Sequence, residues 1–163
     1  MSDEKRARTL KLKPDDRLRT VAGEMLARCA IAEWCGASAE EIVFLKDKNG
    51  KPYAKNLDVY FNISHSGDMV VCAVSDSPVG IDIEKIREIN LKILERICSK
   101  RELLYFSEEP KLNQFFEMWT AKEAQAKLFG KGLAAISQEI STNVKITHID
   151  YLDYKIEIAE IDK

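Results

Sequence analysis

Asp82 and Glu84 stand two residues apart in Val79-Gly80-Ile81-Asp82-Ile83-Glu84, a run that reads as a β-strand. At strand spacing both carboxylates leave one face, and Val79, Ile81 and Ile83 occupy the other. Neighbouring carboxylates raise each other's pKa unless a cation neutralises them. Alone, the pair is more simply explained as a solvated strand face. Trp119, Glu123 and Lys127 follow at i, i+4 and i+8 of a helical stretch, with Lys122 adjacent. Glu123 and Lys127 by themselves suit a surface ion pair. Where that helix crosses the end of the strand, however, three carboxylates meet. Oxygen ligands with open positions suit Mg²⁺, which usually completes its shell with water and substrate phosphate. Zinc is poorly supported, because no Cys/His cluster exists.

The complementary chemistry lies in Asn62-Ile63-Ser64-His65-Ser66-Gly67, where a strand enters a tight turn. A hydroxyl, an imidazole and glycine-backed amides there lie within reach of an anion. His65 is equally well explained as a surface turn residue. Lys51, in Gly50-Lys51-Pro52, and the helix residues Arg19 and Arg28 offer charge-assisted contacts to phosphate, although each alone reads as a solvated base. These residues indicate Mg²⁺ and phosphate chemistry and go no further.

The elements that must hold them follow from periodicity. Residues 14–35 read as one helix, with Pro14 and Asp15 in the first turn, Gly36 as its stop, and Leu18, Val21, Ala22, Met25, Leu26, Cys29 and Ala30 on its apolar face. A short strand at 41–45 precedes a turn at Asn49-Gly50. Strands are expected at 59–64 and 69–75 around Ser66-Gly67-Asp68, and another at 79–84. Helical spacing returns at 89–98 and 101–106, and Pro110 interrupts before a long amphipathic helix at 112–129 with Leu112, Phe115, Phe116 and Trp119 inward. Gly130-Lys131-Gly132 ends it. The runs 144–149 and 154–158 form a hairpin. A helix followed by a hairpin thus occurs twice, so the expected architecture is α+β, two similar lobes packed together.

Composition fits. The chain has 163 residues, 45% hydrophobic and 32% charged, with a formal net charge of -2. It can bury a core, which excludes a disordered or low-complexity chain. The charge balance argues against a dedicated nucleic-acid binder. Cys29, Cys35, Cys72 and Cys98 form no CxxC pair, and Cys29 and Cys72 read as buried thiols. Neither a signal peptide nor a membrane span is expected, so a cytoplasmic protein fits. Residues 3–8 are charged except for Ala7 and carry no strand pattern.

The segments 79–84, 61–67 and Trp119-Thr120-Ala121-Lys122-Glu123-Ala124 with Lys127 resemble the three signatures of 4'-phosphopantetheinyl transferases of the surfactin-synthetase-activating type. Gly50-Lys51-Pro52 and the stretch Arg19, Gly23, Glu24, Arg28 look like the family's accompanying motifs, and all occur in family order across roughly residues 17–133. The resemblance implies a pseudodimer of two α+β lobes with coenzyme A in the cleft between them. It implies transfer of phosphopantetheine from coenzyme A to a serine of an apo acyl or peptidyl carrier protein, releasing adenosine 3',5'-bisphosphate. By it, Asp82, Glu84 and Glu123 would hold Mg²⁺ against the pyrophosphate, and Ser64, His65 and Lys127 would contact phosphate oxygens. Arg19 and Lys51 would serve the adenine nucleotide end, with Lys122 nearby. Glu123 would also be the base for the carrier serine, and Lys127 would steady the leaving group.

The resulting expectation is one compact domain over 1–163, with lobes of about 1–84 and 85–163, acting as a monomer. The alternative is a non-catalytic homologue that binds coenzyme A or a carrier protein. Leu103 to Phe106 are expected either to meet a carrier or to pack at the lobe interface. Family members carry a strand and a basic segment before the Arg19 region. Here the first lobe is therefore expected to lack a strand, with Arg6 or Arg8 gripping the 3'-phosphate. The stretch after Gly132 is short for the two-lobed type, and a compact enzyme is expected rather than an incomplete gene product.

Overall fold

In the computed structural model, residues 3–108, 111–130 and 139–162 are described. Two helices open the chain, α1 (Asp3–Thr9) and α2 (Pro14–Cys35). Short strands β1 (Phe44–Lys46) and β2 (Pro52–Ala54) pair antiparallel around the Asn49-Gly50 turn, where Gly50 adopts φ 85°. Next come β3 (Tyr60–Ser66), β4 (Met69–Ser75) and β5 (Val79–Lys85), then α3 (Leu91–Ile97), α4 (Lys100–Glu108) and α5 (Leu112–Leu128). The hairpin β6 (Val144–Tyr151) and β7 (Tyr154–Ile161) closes the order. The expected breakers Pro110, Lys131 and Gly132 lie outside the described residues.

The elements form two α+β lobes. In the first, α2 lies across the antiparallel hairpin β3–β4; in the second, α5 lies across a sheet of order β5-β7-β6. The lobes meet face to face. Met69, Val71 and Ala73 of β4 pack on Ile81, Ile83, Tyr154 and Ile156, an apolar seam formed by the odd face of β5. The even face of β5 turns toward α5, and Gly80 lets the helix lie directly on the strand. A Cβ there would stand 2.1 Å from the Ala124 carbonyl oxygen and 2.5 Å from the Leu128 amide nitrogen.

The buried face of α2 is not the one expected. Leu18 (71% exposed), Met25 (61%), Leu26 and Cys29 face outward, and Gly23, Glu24, Ala27 and Ile31 face the hairpin. Close approach selects small residues: a Cβ on Gly23 would meet the Ile63 side chain at 3.1 Å. Glu24 is tolerated inside because Arg28 pairs with it at 3.1 Å. The Cys29 expectation falls with that face, and Cys72 is only half-buried. All four cysteines are free. The helix α1 had no counterpart in the periodicity reading. No helix among the described residues is long and apolar enough to cross a membrane.

Candidate active site

The lobes also join along an edge where no backbone ladder forms. Side chains at alternate positions of β3 substitute for one. Asn62 Oδ1 accepts from the Ile81 amide (2.9 Å), and Ser64 Oγ donates to Asp82 Oδ1 (2.6 Å). Ser66 Oγ donates to Glu84 Oε2 (3.0 Å) and accepts from the Lys85 amide (3.1 Å). The period-2 geometry that sends Asp82 and Glu84 to one face thus sends Ser64 and Ser66 to meet them. Sequence reasoning missed Asn62 and Ser66 in this role; the alternation Asn-x-Ser-x-Ser was the available signal.

Across the same strand, α5 brings Lys127 and Glu123. Lys127 Nζ donates to Asp82 Oδ1 (2.6 Å) and to Ser64 Oγ (2.7 Å). Lys127 thus pairs with Asp82 of β5 rather than with Glu123 one turn away, and its bond to Ser64 reaches the first lobe. Glu123 Oε1 instead accepts from the Trp119 indole at 3.3 Å. Burial, then the nearby charges of Asp82 and Glu84, hold the Glu123 carboxyl above its usual range, against the opposing pull of Trp119 and Lys127. Glu84 has a second donor, Arg87 Nη1, at 3.0 Å.

The remaining candidates sit in distinct places. Arg19 donates to the Gly67 carbonyl (2.9 Å) and pairs with Asp16 (2.7 Å) at the β3–β4 turn. His65, one residue out of phase with Ser64, faces this second grouping; Arg19 first, and His65 among lesser charges, hold Asp16 below the usual carboxylate range. Lys51 reaches across from the β1–β2 turn, and its ammonium donates to the carbonyls of Lys127 (2.8 Å), Val79 (3.0 Å) and Leu128 (3.4 Å). Burial lowers its pKa. It ties the end of α5 to the start of β5 and borders a cleft of about 440 Å³.

Lys122 does not join the cluster. Only 1% exposed, it pairs with Glu102 at 2.6 Å and donates to the Ile97 carbonyl at 3.3 Å. Successive helix residues are about 100° apart, so the neighbour of Glu123 points into the α3–α4 packing. Arg28 holds the loop after α2 through the carbonyls of Ala39 and Ile42. The 103–106 stretch is divided: Phe106 is buried, Leu103 is partly buried against the core, and Leu104 and Tyr105 are exposed.

The donor chemistry around β5 is all oxygen, which suits a hard cation. Asp82 Oδ2 is buried and has no hydrogen-bond partner, the observation that fits a missing positive group. As the side chains stand, no three His, Cys, Asp or Glu among the described residues are arranged to hold a metal ion. The ammonium of Lys127 and the guanidinium of Arg87 occupy two of the carboxylates.

Comparison with known proteins gives the family. Residues 78–158 match the 4'-phosphopantetheinyl transferase superfamily, and residues 1–77 match the family described as 4'-phosphopantetheinyl transferase, N-terminal. The chain belongs to the 4'-phosphopantetheinyl transferase superfamily. It is 46% identical over 123 residues to 4'-phosphopantetheinyl transferase psf-1 of Bacillus pumilus, covering 73% of this chain and 53% of that protein. It is 41% identical over 121 residues to 4'-phosphopantetheinyl transferase gsp of Aneurinibacillus migulanus (72% and 51%). With 4'-phosphopantetheinyl transferase Sfp of Bacillus subtilis the identity is 40% over 124 residues (74% and 55%). The chain therefore spans about half the length of the curated relatives it matches.

Proposed function

We propose that this protein transfers phosphopantetheine from coenzyme A to a serine of an apo acyl or peptidyl carrier protein. The observation that carries the reading is the buried, partnerless Asp82 Oδ2 beside Lys127 and Glu123, within a chain of this superfamily. The serine oxygen attacks the phosphorus bearing pantetheine. The bond from that phosphorus to the bridging pyrophosphate oxygen breaks, and adenosine 3',5'-bisphosphate leaves. Such transfers need positioning and charge neutralisation more than covalent help.

Glu123 takes the serine proton. Burial and neighbouring negative charge strengthen it as a base by raising its pKa. Lys127, held at Asp82 and Ser64, neutralises charge on the leaving group. Asp82, Glu84 and Glu123 would hold Mg²⁺, which when bound supplies further neutralisation of the diphosphate. Arg19 and His65, at the β3–β4 turn, supply anion contacts of the first lobe, and Ser64, beside Asp82 and Lys127, supplies another. Lys51 acts for the nucleotide end by fixing the end of α5 rather than by a free ammonium.

The two lobes work as one domain, with β5, a strand of the second lobe's sheet, at their junction. The protein acts as a cytoplasmic monomer, without nucleic acid or membrane. A second reading, a non-catalytic binder of coenzyme A or a carrier protein, is favoured by the internal pairing of Asp82 and Glu84. Incubation with coenzyme A, Mg²⁺ and a panel of apo carrier proteins separates the two. The transferase raises the mass of a carrier; binding of coenzyme A with no carrier changing mass supports the binder.

A further inference from the structure

Each carboxylate around the β5–α5 junction already has a partner from the chain itself. Lys127 serves Asp82, the Trp119 indole serves Glu123, and Arg87 serves Glu84. Arg87 differs from the others in how it is held. Its guanidinium donates to the Lys85 carbonyl at 3.1 Å, at the end of the strand that carries the carboxylates. It also lies 5.5 Å from the ring centroids of both Phe116 and Trp119, which stack on each other. Its side chain is 47% exposed, whereas Lys127 is 28% exposed and has two short hydrogen bonds. Half-exposed ion pairs are weak and exchangeable.

We infer that Arg87 is a resident counter-ion of Glu84 which a divalent cation displaces, and which on displacement becomes a further contact for the diphosphate of the donor. The inference rests on the reading that Asp82, Glu84 and Glu123 hold Mg²⁺. A divalent ion arriving at Glu84 and at the partnerless Asp82 Oδ2 repels the guanidinium by like charge. Two adjoining aromatic faces retain it at the site, since a guanidinium stacks on either. A displaced arginine there presents paired N–H donors, the geometry that phosphate oxygens accept. One side chain thus balances the carboxylates before the metal arrives and the diphosphate afterwards.

Two titrations test this on the whole chain, with Arg87→Gln, Arg87→Lys and Asp82→Asn beside the wild type. Mg²⁺ alone, followed by calorimetry, should bind Arg87→Gln about two- to five-fold tighter than wild type, because a competing exposed charge is gone. Inorganic pyrophosphate in saturating Mg²⁺ should bind the same variant several-fold more weakly, about three-fold or more, because a diphosphate donor is gone. Arg87→Lys should lie between wild type and glutamine in both. Opposite signs distinguish counter-ion exchange from lost packing, which would weaken both ligands together. Unchanged or weakened Mg²⁺ binding in Arg87→Gln overturns the exchange. Undiminished Mg²⁺ binding in Asp82→Asn instead overturns the metal placement, whatever Arg87 does.

Discussion

Gly80→Ala should damage the site without touching a reacting group. The added Cβ would stand 2.1 Å from the Ala124 carbonyl oxygen and 2.5 Å from the Leu128 amide, where ordinary contact begins near 3.4 Å. Both are backbone atoms of α5, so no side chain can rotate away, and the helix must withdraw by about 1.3 Å to restore contact. Lys127 and Glu123 move with it, and the 2.6 Å Lys127–Asp82 pair opens to nearly 4 Å. Overpacking of this kind costs roughly 1–3 kcal/mol, which lowers Tm by roughly 3–10 °C in a domain of this size. Thermal unfolding by circular dichroism measures the first effect, and Mg²⁺ titration measures the second. Gly50→Ala is the control: its φ of 85° is strained for alanine, but nothing lies within 4 Å, so it costs about 1 kcal/mol and leaves the site alone. A Gly80→Ala protein with wild-type Tm and wild-type metal affinity would show that α5 does not rest on β5 in this way.

Other perturbations have equally definite outcomes. Lys51→Ala removes the ammonium that donates to three carbonyls and should lower stability by about 1–3 kcal/mol in urea unfolding. A change in coenzyme A affinity alone would contradict that assignment. Lys122→Met retains a buried side chain but strands Glu102, which Lys122 and the Ser99 amide now help hold below the usual carboxylate range. Stability should fall while Mg²⁺ affinity stays within about two-fold; a loss of Mg²⁺ binding would return Lys122 to the site. Glu157, buried beside His148, is pushed up to about 7 mainly by burial. A carboxyl raised in the folded state binds its proton more tightly there than in the unfolded chain. Stability should therefore fall as pH rises from about 4.5 to 7, by at most about 1.4 kcal/mol per pH unit for this group. Urea unfolding between pH 4.5 and 8.5 should show this slope flattened in Glu157→Gln; an unaltered slope would place the titration elsewhere.

Much of the site was legible because it depends on period alone. The two-residue spacing of Asp82 and Glu84 and the four-residue spacing of Trp119, Glu123 and Lys127 fix their faces before any packing is known. Three other features depended on which neighbour comes close. The apolar stripe of α2 misled, because Gly23 and Ala27 permit contact with β3 and β4 while Leu18 and Met25 do not. Lys122 was placed by adjacency to Glu123, where a helix separates neighbours by direction. Arg87 went unnoticed because its partners lie on β5 and α5, and their meeting is a tertiary fact. Lys51 was singled out from its motif as a nucleotide contact; that its ammonium is directed at carbonyls of α5 and β5 is a tertiary fact no spacing shows.

The most direct test compares wild type with Asp82→Asn and Glu123→Gln in the carrier-modification reaction, with coenzyme A and Mg²⁺ present and the carrier's mass as the readout. Wild type should add phosphopantetheine to a carrier serine, and both variants, still folded by circular dichroism, should lose nearly all turnover. Modification by Asp82→Asn or Glu123→Gln at the wild-type rate would contradict the assigned roles of these carboxylates.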